Sequence, residues 1–353
     1  MELLAGITAR RVPTKRLTVN VLERAGDRPD GVPVILLHGN VSSSLFWQET
    51  MQALPPEYRV LAPDLRGFGQ TDTAPVDAGR GLRDFADDLH GLLETLQLAP
   101  AHVVGWSMGG GVAMQYTLEH PVLSLALQAP VSPYGFGGTA GPEGRRLTED
   151  DAGTGGGGAN PDFVARLEAA DTSDDAPASP LSVYRSTYVH AGFESPHEHV
   201  WVESMLSTKT GPDNYPGDSV PSQNWPGFAP GRRGVLNTMA PGVFNTSALV
   251  DLPEKPDILW IHGDSDAIVS DASFFDLNCL GKAGVLPGWP GEETAPLQPM
   301  VSQTRAVLEK YAANGGRFTE VLLENCGHSP HLEYPDRFVA ELTAHIARSG
   351  TAG

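Results

Sequence analysis

Cysteine and long apolar runs are scarce in this sequence. Its 353 residues include only two cysteines, Cys279 and Cys326, which lie far apart and form no metal-type spacing. A disulfide-rich scaffold and a cysteine zinc site are therefore not expected. No window is apolar over the length of a membrane helix, and the N-terminus lacks a basic start followed by an apolar run. We expect a cytoplasmic protein with reduced thiols and no membrane partner.

Basic side chains are also few. The chain has 24 Lys and Arg against 43 Asp and Glu, which gives a formal net charge of -19 at pH 7. Such a chain repels phosphate backbones and anionic membrane surfaces, so nucleic acid is not expected as a partner. The hydrophobic content of 40% is enough for a buried core. Because no obvious linker divides the chain, its length suits one large domain that carries an insertion.

Short apolar runs alternate with helical patterns in the first part of the chain. "VPVILLHGN", "YRVLAP" and "HVVGW" are typical of strands, and apolar residues at helical spacing between Leu82 and Leu96 predict a helix. This alternation indicates a mostly parallel sheet flanked by helices, because each parallel crossover needs a helix to cover the sheet. Sites in such sheets lie at the carboxyl ends of strands, which is where His38, Asn40 and Ser107 fall.

The alternation breaks after Pro130 and resumes with "DILWIHGDSDAIV". We therefore predict an α/β core formed by residues 1–130 and 251–353, with residues 131–250 inserted as a mainly helical cap over the carboxyl edge of the sheet. Residues 131–160 are rich in glycine and poor in apolar residues, which predicts an irregular, mobile loop and leaves open whether it acts as a lid. Asn160 and Pro161 are typical of a helix start.

The segment Gly105-Trp106-Ser107-Met108-Gly109 fits the G-x-S-x-G pattern, in which a sharp strand-to-helix turn raises a serine above a sheet. With 40 glycines in the chain, the five-residue pattern alone is weak. Two later residues, Asp266 and His328, each follow an apolar strand-like run. A serine becomes a nucleophile when a histidine takes its proton and a carboxylate holds that histidine. The chain order serine, acid, histidine thus predicts a catalytic triad.

Five ordered segments, "LLHGNVSSSLFW", "APDLRGFGQTD", "GWSMGGG", "IHGDSDAIV" and "NCGHSPHLEYPDRF", resemble the landmarks of the α/β-hydrolase superfamily. The resemblance covers the sheet-forming parts, residues 30–130 and 255–348, but not the cap. It implies the α/β-hydrolase fold and a serine hydrolase of the esterase or lactonase type. It also implies that Ser107 is the nucleophile and that the backbone N–H groups of Asn40 and Met108 form the oxyanion hole.

The same resemblance implies that His328 is the general base and that Asp266, in a Gly-x-x-Asp pattern after Gly263, is the acid. Asp264 is the alternative acid, although a loop hydrogen bond is its more ordinary role. We expect His38 and Asp64 to brace loops, and His331 and Glu333 to cap or orient the last helix. A metal site at His190, His197 and His199 is not expected, because positions 197 and 199 face different sides of a helix.

This chemistry predicts acyl transfer without a cofactor, on a small-molecule ester or lactone. Dehalogenases and epoxide hydrolases of the superfamily attack with aspartate, where this chain has Ser107. A carbon–carbon bond hydrolase, an amidase or peptidase, and a non-catalytic ligand-binding protein remain alternatives, and the oligomeric state stays open. The aromatic and sulfur-bearing inventory suggests a bulky hydrophobic substrate. The candidate contacts are Trp106, Val41, Phe136, Tyr188, Trp201 and Met205.

Overall fold

An eight-stranded sheet forms the centre of the computed structural model, which describes residues 1–349. Residues 350–353, the end of the predicted second core segment, lie outside the described residues. The order across the sheet is β1-β2-β4-β3-β5-β6-β7-β8. The strands are β1 (Ile7–Pro13), β2 (Thr18–Arg24), β3 (Val32–Leu37), β4 (Tyr58–Pro63), β5 (His102–Trp106), β6 (Ser124–Gln128), β7 (Ile258–Gly263) and β8 (Phe318–Leu323).

The predicted mostly parallel sheet is confirmed. All neighbouring pairs from β4 to β8 are parallel, and only the pairs of β2 with β1 and with β4 are antiparallel. Strand β5 lies in the middle, with Val103 opposite Ile35 of β3 and Leu125 of β6. Strand β1 is not predicted by the sequence pattern, because only its residues Ile7 and Val12 are buried and no alternation of apolar and polar residues arises.

Helices cover both faces of the sheet and build part of the insertion. In α2, the side chains of Phe85, Leu89 and Leu92 recur at helical spacing and are buried, as the sequence pattern predicts. No helix within residues 1–349 is long and apolar enough to cross a bilayer. The helices are α1 (Gln48–Ala53), α2 (Arg83–Leu96), α3 (Met108–Glu119), α4 (Pro161–Glu168), α5 (Pro180–Val183), α6 (Glu198–Leu206), α7 (Leu277–Lys282), α8 (Met300–Ala313), α9 (Pro330–Glu333) and α10 (Pro335–Ser349).

Residues 131–250 contain α4, α5, α6 and a π-helical turn, Tyr184–Tyr188. Three short ribbons accompany them: Thr139–Ala140 with Arg145–Arg146, Thr210–Gly211 with Tyr215–Pro216, and Ser219–Pro221 with Phe228–Pro230. As predicted, α4 begins at Pro161, and Asn160 caps it by accepting a hydrogen bond from the N–H of Asp162 at 3.0 Å.

The glycine-rich segment is irregular, as expected, and hydrogen bonds fasten it to the rest of the insertion. The N–H of Gly153 donates to the carbonyl of Phe228 at 2.9 Å, and the N–H of Gly156 donates to Asn237 Oδ1 at 2.8 Å. Residues 156–158 form a single 3₁₀ turn. These contacts keep the segment against the cap at the positions where it faces the cavity described below.

Six histidines are buried in the part of the chain that the structure describes, and four of them, His38, His102, His331 and His345, have strongly lowered pKa values. Burial penalises their charged form and lowers the pKa of His38, His102 and His345 to about 4 and that of His331 to about 3. In the unfolded chain the same side chains bind a proton below about pH 6.5. The unfolded state therefore holds more protons than the folded state between these pH values.

We predict that the free energy of unfolding falls as the pH drops from 7 to 5. Each of the four histidines contributes a slope on the order of 1 kcal/mol per pH unit in this range, because protonation favours the unfolded state. Denaturant titrations at several pH values measure this slope. His345→Gln removes one titrating ring and should make the slope shallower than in the wild type. A free energy that does not change between pH 7 and 5 would contradict the prediction.

Candidate active site

Ser107 sits at the sharp turn between β5 and α3. Its backbone has φ 57° and ψ −121°, a conformation that a residue other than glycine adopts rarely. Backbone hydrogen bonds to the end of β6 and to the segment that follows it hold the turn in place. The N–H of Ser107 donates to the carbonyl of Gln128 at 3.0 Å, and its own carbonyl accepts from the N–H of Val131 at 3.1 Å. The predicted strand-to-helix turn is therefore present, with Ser107 at its apex.

The loop after β3 packs directly against this turn. A Cβ atom at Gly109 would lie 2.3 Å from the carbonyl oxygen of His38, so only glycine fits there. A Cβ atom at Gly39 would lie 2.9 Å from Cβ of Ser107. Both close approaches require glycine and bring the His38–Val41 segment beside the serine.

His38 braces this segment, as expected. Its Nε2 accepts a hydrogen bond from the N–H of Leu65 at 2.9 Å, so Nδ1 carries the hydrogen and donates to the carbonyl of Gly39 at 2.8 Å. The hydroxyl of Ser42 donates to the same carbonyl at 2.9 Å. In a trans peptide the carbonyl and the N–H point in opposite directions, so these bonds direct the N–H of Asn40 away from the His38 ring.

Asp64 also has the bracing role that the sequence suggests. Its carboxylate accepts hydrogen bonds from the N–H of Ser44 at 2.8 Å, the N–H of Gln70 at 2.9 Å and the side-chain amide of Asn20 at 2.8 Å. These bonds tie the loop after β4 to β2 and to the 3₁₀ turn that begins at Ser44. The two loops that follow β3 and β4 are therefore held together behind the site.

His328 pairs with Asp266. Nδ1 of His328 and Oδ2 of Asp266 are 2.7 Å apart, and both side chains are buried. Because a carboxylate only accepts, Nδ1 carries the hydrogen and Nε2 keeps its lone pair. The other carboxylate oxygen, Oδ1, accepts from the N–H groups of Ile268 and Val269 at 2.8 and 2.9 Å. Asp266 is thus fixed in one orientation and holds the imidazole in one tautomer.

Asp264, the alternative acid, is exposed and points elsewhere. Its Oδ1 accepts hydrogen bonds from the hydroxyl of Ser265 and from the N–H of Asn325, both at 2.8 Å. It therefore has the loop-bonding role that the sequence analysis considered more ordinary, and the partner of His328 is Asp266.

Glu333 braces the loop that carries His328. Its carboxylate accepts from the N–H groups of Gly327 at 2.9 Å and Ser329 at 3.2 Å, and from the N–H of the cap residue His190 at 2.7 Å. The expected role of Glu333 in capping or orienting the last helix stays a prediction, since these bonds lie on the loop around His328, which includes Ser329 at the start of α9, and on His190. Trp106 also supports this loop, because its indole N–H donates to the carbonyl of His328 at 2.8 Å.

A cavity of about 400 Å³ lies at the carboxyl ends of the strands, lined also by residues between β6 and β7 and by residues that follow β7. Ser107, His328, Asn40 and Met108 line it together with mostly apolar side chains. No Asp, Glu, Lys or Arg is among its lining residues within residues 1–349. Other residues that line the cavity include Val41, Trp106, Phe136, Tyr188, Phe274 and Phe275.

Four of the six predicted substrate contacts, Trp106, Val41, Phe136 and Tyr188, line this cavity. The prediction for Trp201 and Met205 is wrong. Both side chains are 0% exposed and do not line the cavity, and the Trp201 ring packs against Phe46 with ring centroids 5.4 Å apart. They belong to the packed contact between α6 and the core. A buried aromatic residue in the cap's core and one in a cavity wall look alike in a sequence.

Phe274 and Phe275 are lining residues that the sequence analysis missed. They lie in the segment after β7, for which the sequence predicted only irregular structure. Their side chains are 65% and 45% exposed, and both also line the cavity. The sequence feature that could have indicated them is a pair of adjacent phenylalanines in a stretch rich in glycine and proline. They form an apolar rim to the cavity.

His190, His197 and His199, which were considered as metal ligands, each contact a different acidic residue. The N–H of His190 bonds to Glu333, His197 lies 3.7 Å from Glu49, and His199 lies 3.1 Å from Glu2. Among the residues that the structure describes, no group of three or more His, Cys, Asp or Glu side chains has a geometry that could hold a metal ion.

Comparison with known proteins gives a family match over part of the chain. Residues 32–142 match a family model described as the alpha/beta hydrolase fold. Over 99 residues the chain is 36% identical to a 2-hydroxy-6-oxononadienedioate/2-hydroxy-6-oxononatrienedioate hydrolase of Comamonas testosteroni. That match covers 27% of this chain and 34% of the relative, so it spans about a third of that protein's length.

Solved structures match over nearly the whole chain at low identity. A membrane phospholipase A described as a bacterial virulence factor has a TM-score of 0.61 at 20% identity, covering 99% of this chain and 88% of that one. A mutant N-acyl homoserine lactonase complexed with N-hexanoyl homoserine has a TM-score of 0.55 at 18% identity, covering 98% of each chain. With the sheet order and the serine turn between β5 and α3, these matches show that the chain has the α/β-hydrolase fold.

Proposed function

We propose that this protein is a serine hydrolase that cleaves a carboxylic ester or lactone through an acyl-enzyme. The observation that carries the proposal is that His328, which is paired with the buried Asp266, lines the same cavity as Ser107. A serine, a histidine of fixed tautomer and a buried carboxylate at one cavity are the parts that nucleophilic acyl transfer needs.

In the first half-reaction, Nε2 of His328 accepts the proton of Ser107 as Oγ attacks the substrate carbonyl. The C–O bond to the alcohol then breaks, and the proton on Nε2 passes to the departing alkoxide. In the second half-reaction, a water gives its proton to Nε2 and attacks the acyl carbon, and Ser107 leaves with that proton. Asp266 stays ionised and stabilises the imidazolium that forms in each half.

Two backbone N–H groups are our candidates for the oxyanion hole. Met108 is the first residue of α3, so its N–H has no partner within the helix and lies at the positive end of the helix dipole. The N–H of Asn40 belongs to the peptide whose carbonyl is held by His38 and Ser42. Donors fixed in this way need no rearrangement when negative charge develops on the carbonyl oxygen.

The cavity lining favours a neutral substrate with apolar groups. A carboxylate on the substrate would enter a space without a lysine or arginine in its walls, in a chain of net charge -19. Burial of an unpaired charge is strongly unfavourable. The dienedioate in the name of the Comamonas relative carries two carboxylates, so the lining argues for an ester or lactone over that substrate class.

Carbon–carbon bond hydrolysis is the second candidate, and the observation in its favour is the 36% identity over 99 residues to the Comamonas enzyme. That match covers 27% of this chain, so most of the chain lies outside it.

We predict that a fluorophosphonate adds once to the wild-type protein and not to Ser107→Ala. The phosphonate requires an activated serine, and Ser107 is the serine that lies at the turn beside the His328–Asp266 pair. Intact-protein mass spectrometry measures the adduct. Labelling of both proteins would place the reactive group elsewhere. An unlabelled wild type that also hydrolyses no ester would support the non-catalytic alternative.

We predict different effects for the two neighbouring aspartates. Asp266→Asn should lower kcat/KM on the order of 1,000-fold or more, because the amide no longer holds the productive tautomer of His328. Asp264→Asn is the matched control and should stay within about 3-fold of wild type, because its loop bonds lie at the surface. Steady-state ester hydrolysis measures both values. A larger loss in Asp264→Asn would show that the wrong acid was chosen.

We predict a preference for neutral esters of matched size. For p-nitrophenyl butyrate, kcat/KM should exceed that for mono-p-nitrophenyl succinate by about 10-fold or more, because the free carboxylate of the succinate has no cation to meet in the cavity. A 2-hydroxy-6-oxodienoate is the third substrate to test. Faster hydrolysis of this dienoate than of either ester would favour the second candidate function.

A further inference from the structure

The cap residue Tyr188 bonds directly to the loop that follows β3. Its hydroxyl lies 3.0 Å from the carbonyl oxygen of Asn40 and 3.1 Å from that of Val41, and it donates its one hydrogen between them. The residue ends the π-helical turn Tyr184–Tyr188 and is buried. A cap side chain therefore reaches the backbone of the proposed oxyanion loop itself.

These two carbonyls flank a strained residue. Val41 has φ 45°, and a β-branched side chain adopts this left-handed conformation only where surrounding contacts impose it. The carbonyls of Asn40 and Val41 belong to the peptides on either side of the Val41 Cα atom. By binding both, the Tyr188 hydroxyl holds the strained conformation from the cap side.

The core and the cap thus fix successive peptides of one loop. His38 and Ser42 hold the carbonyl of Gly39, whose peptide includes the N–H of Asn40, and Tyr188 holds the next two carbonyls. The orientation of the Asn40 N–H depends on the peptides on both sides of its Cα atom. Only one of those two sides is held by the core bonds.

The hydroxyl of Tyr188 is a permanent donor. Burial raises the pKa of Tyr188 above its usual range, so the hydroxyl keeps its hydrogen at neutral pH. The ring is held independently of the hydroxyl. It packs edge-on against Trp106 and His328, with ring centroids 5.9 and 6.3 Å apart. Removal of the hydroxyl alone should therefore leave the ring in place.

We propose that Tyr188 is a positioning residue, whose hydroxyl holds the Asn40–Val41 loop in the conformation in which the N–H of Asn40 binds the oxyanion. The cap then completes the oxyanion hole as well as covering the cavity. This inference rests on the proposed serine hydrolase function. It differs from a role in substrate contact, because the hydroxyl of Tyr188 is already engaged by the protein backbone.

The test compares Tyr188→Phe with Tyr184→Phe. Tyr184 lies at the other end of the same π-helical turn and is also buried, but its hydroxyl has no hydrogen-bond partner in the described part of the chain. Each variant loses one buried hydroxyl and keeps its ring. The pair therefore separates the loop bonds from general effects of removing a polar atom.

For Tyr188→Phe we expect kcat for a neutral ester to fall about 10-fold with little change in KM, less than the full loss of an oxyanion donor. A boronic acid that forms a tetrahedral adduct with Ser107 should bind more weakly by a similar factor. Tyr184→Phe should stay within about 2-fold of wild type in both measurements. Equal losses in the two variants, or a change confined to KM in Tyr188→Phe, would overturn the proposal.

Amide hydrogen exchange of residues 39–43 gives a readout that needs no turnover. Tyr188→Phe should accelerate exchange in this loop, and Tyr184→Phe should not. Unchanged exchange in Tyr188→Phe would overturn the proposal even if kcat fell. Failure of the proposed function has a different signature, because the wild type itself would then bind no phosphonate and hydrolyse no ester, while the exchange comparison still reports whether Tyr188 holds the loop.

Discussion

The close packing of the β5–α3 turn on the loop after β3 is the constraint on which the rest of the site depends. The carbonyl of His38 occupies the space that a side chain at Gly109 would need, and a Cβ atom at Gly39 would lie 2.9 Å from Cβ of Ser107. Ser107 can then adopt a left-handed conformation that lifts its hydroxyl above the sheet, while α3 begins at the next residue. Ser107, the loop after β3 and the N-terminus of α3 are therefore placed by the contact between these two segments.

Hydrogen bonds from three different residues hold the loop that carries His328 near this contact. Asp266 fixes the imidazole of His328, and Glu333 binds the backbone N–H groups on both sides of His328. Trp106, the residue before Ser107, donates its indole N–H to the carbonyl of His328. Glu333 also binds the cap through the N–H of His190. The cap is thus tied to the histidine loop, and through Tyr188 to the loop after β3, so cap and core share both sides of the cavity.

Much of the core and its landmark residues could be predicted, since each landmark follows a strand with a clear apolar pattern. Ser107, Asp266 and His328 all fell at predicted strand ends, and the geometry pairs the last two. Two kinds of feature escaped prediction. Strand β1 pairs through its backbone and buries too little to show alternation. The cavity walls depend on how α6 and the irregular segments pack against the core, and neither the burial of Trp201 nor the exposure of Phe274 can be read from composition.

The apolar rim formed by Phe274 and Phe275 has a thermodynamic consequence. Without substrate, much of both rings lies in contact with water, although both also line the cavity. A substrate whose apolar part covers these rings removes their surface from water, and this transfer carries a negative change in heat capacity. The enthalpy of binding then becomes more favourable as the temperature rises, so the balance of enthalpy and entropy in substrate binding shifts with the temperature at which the protein works.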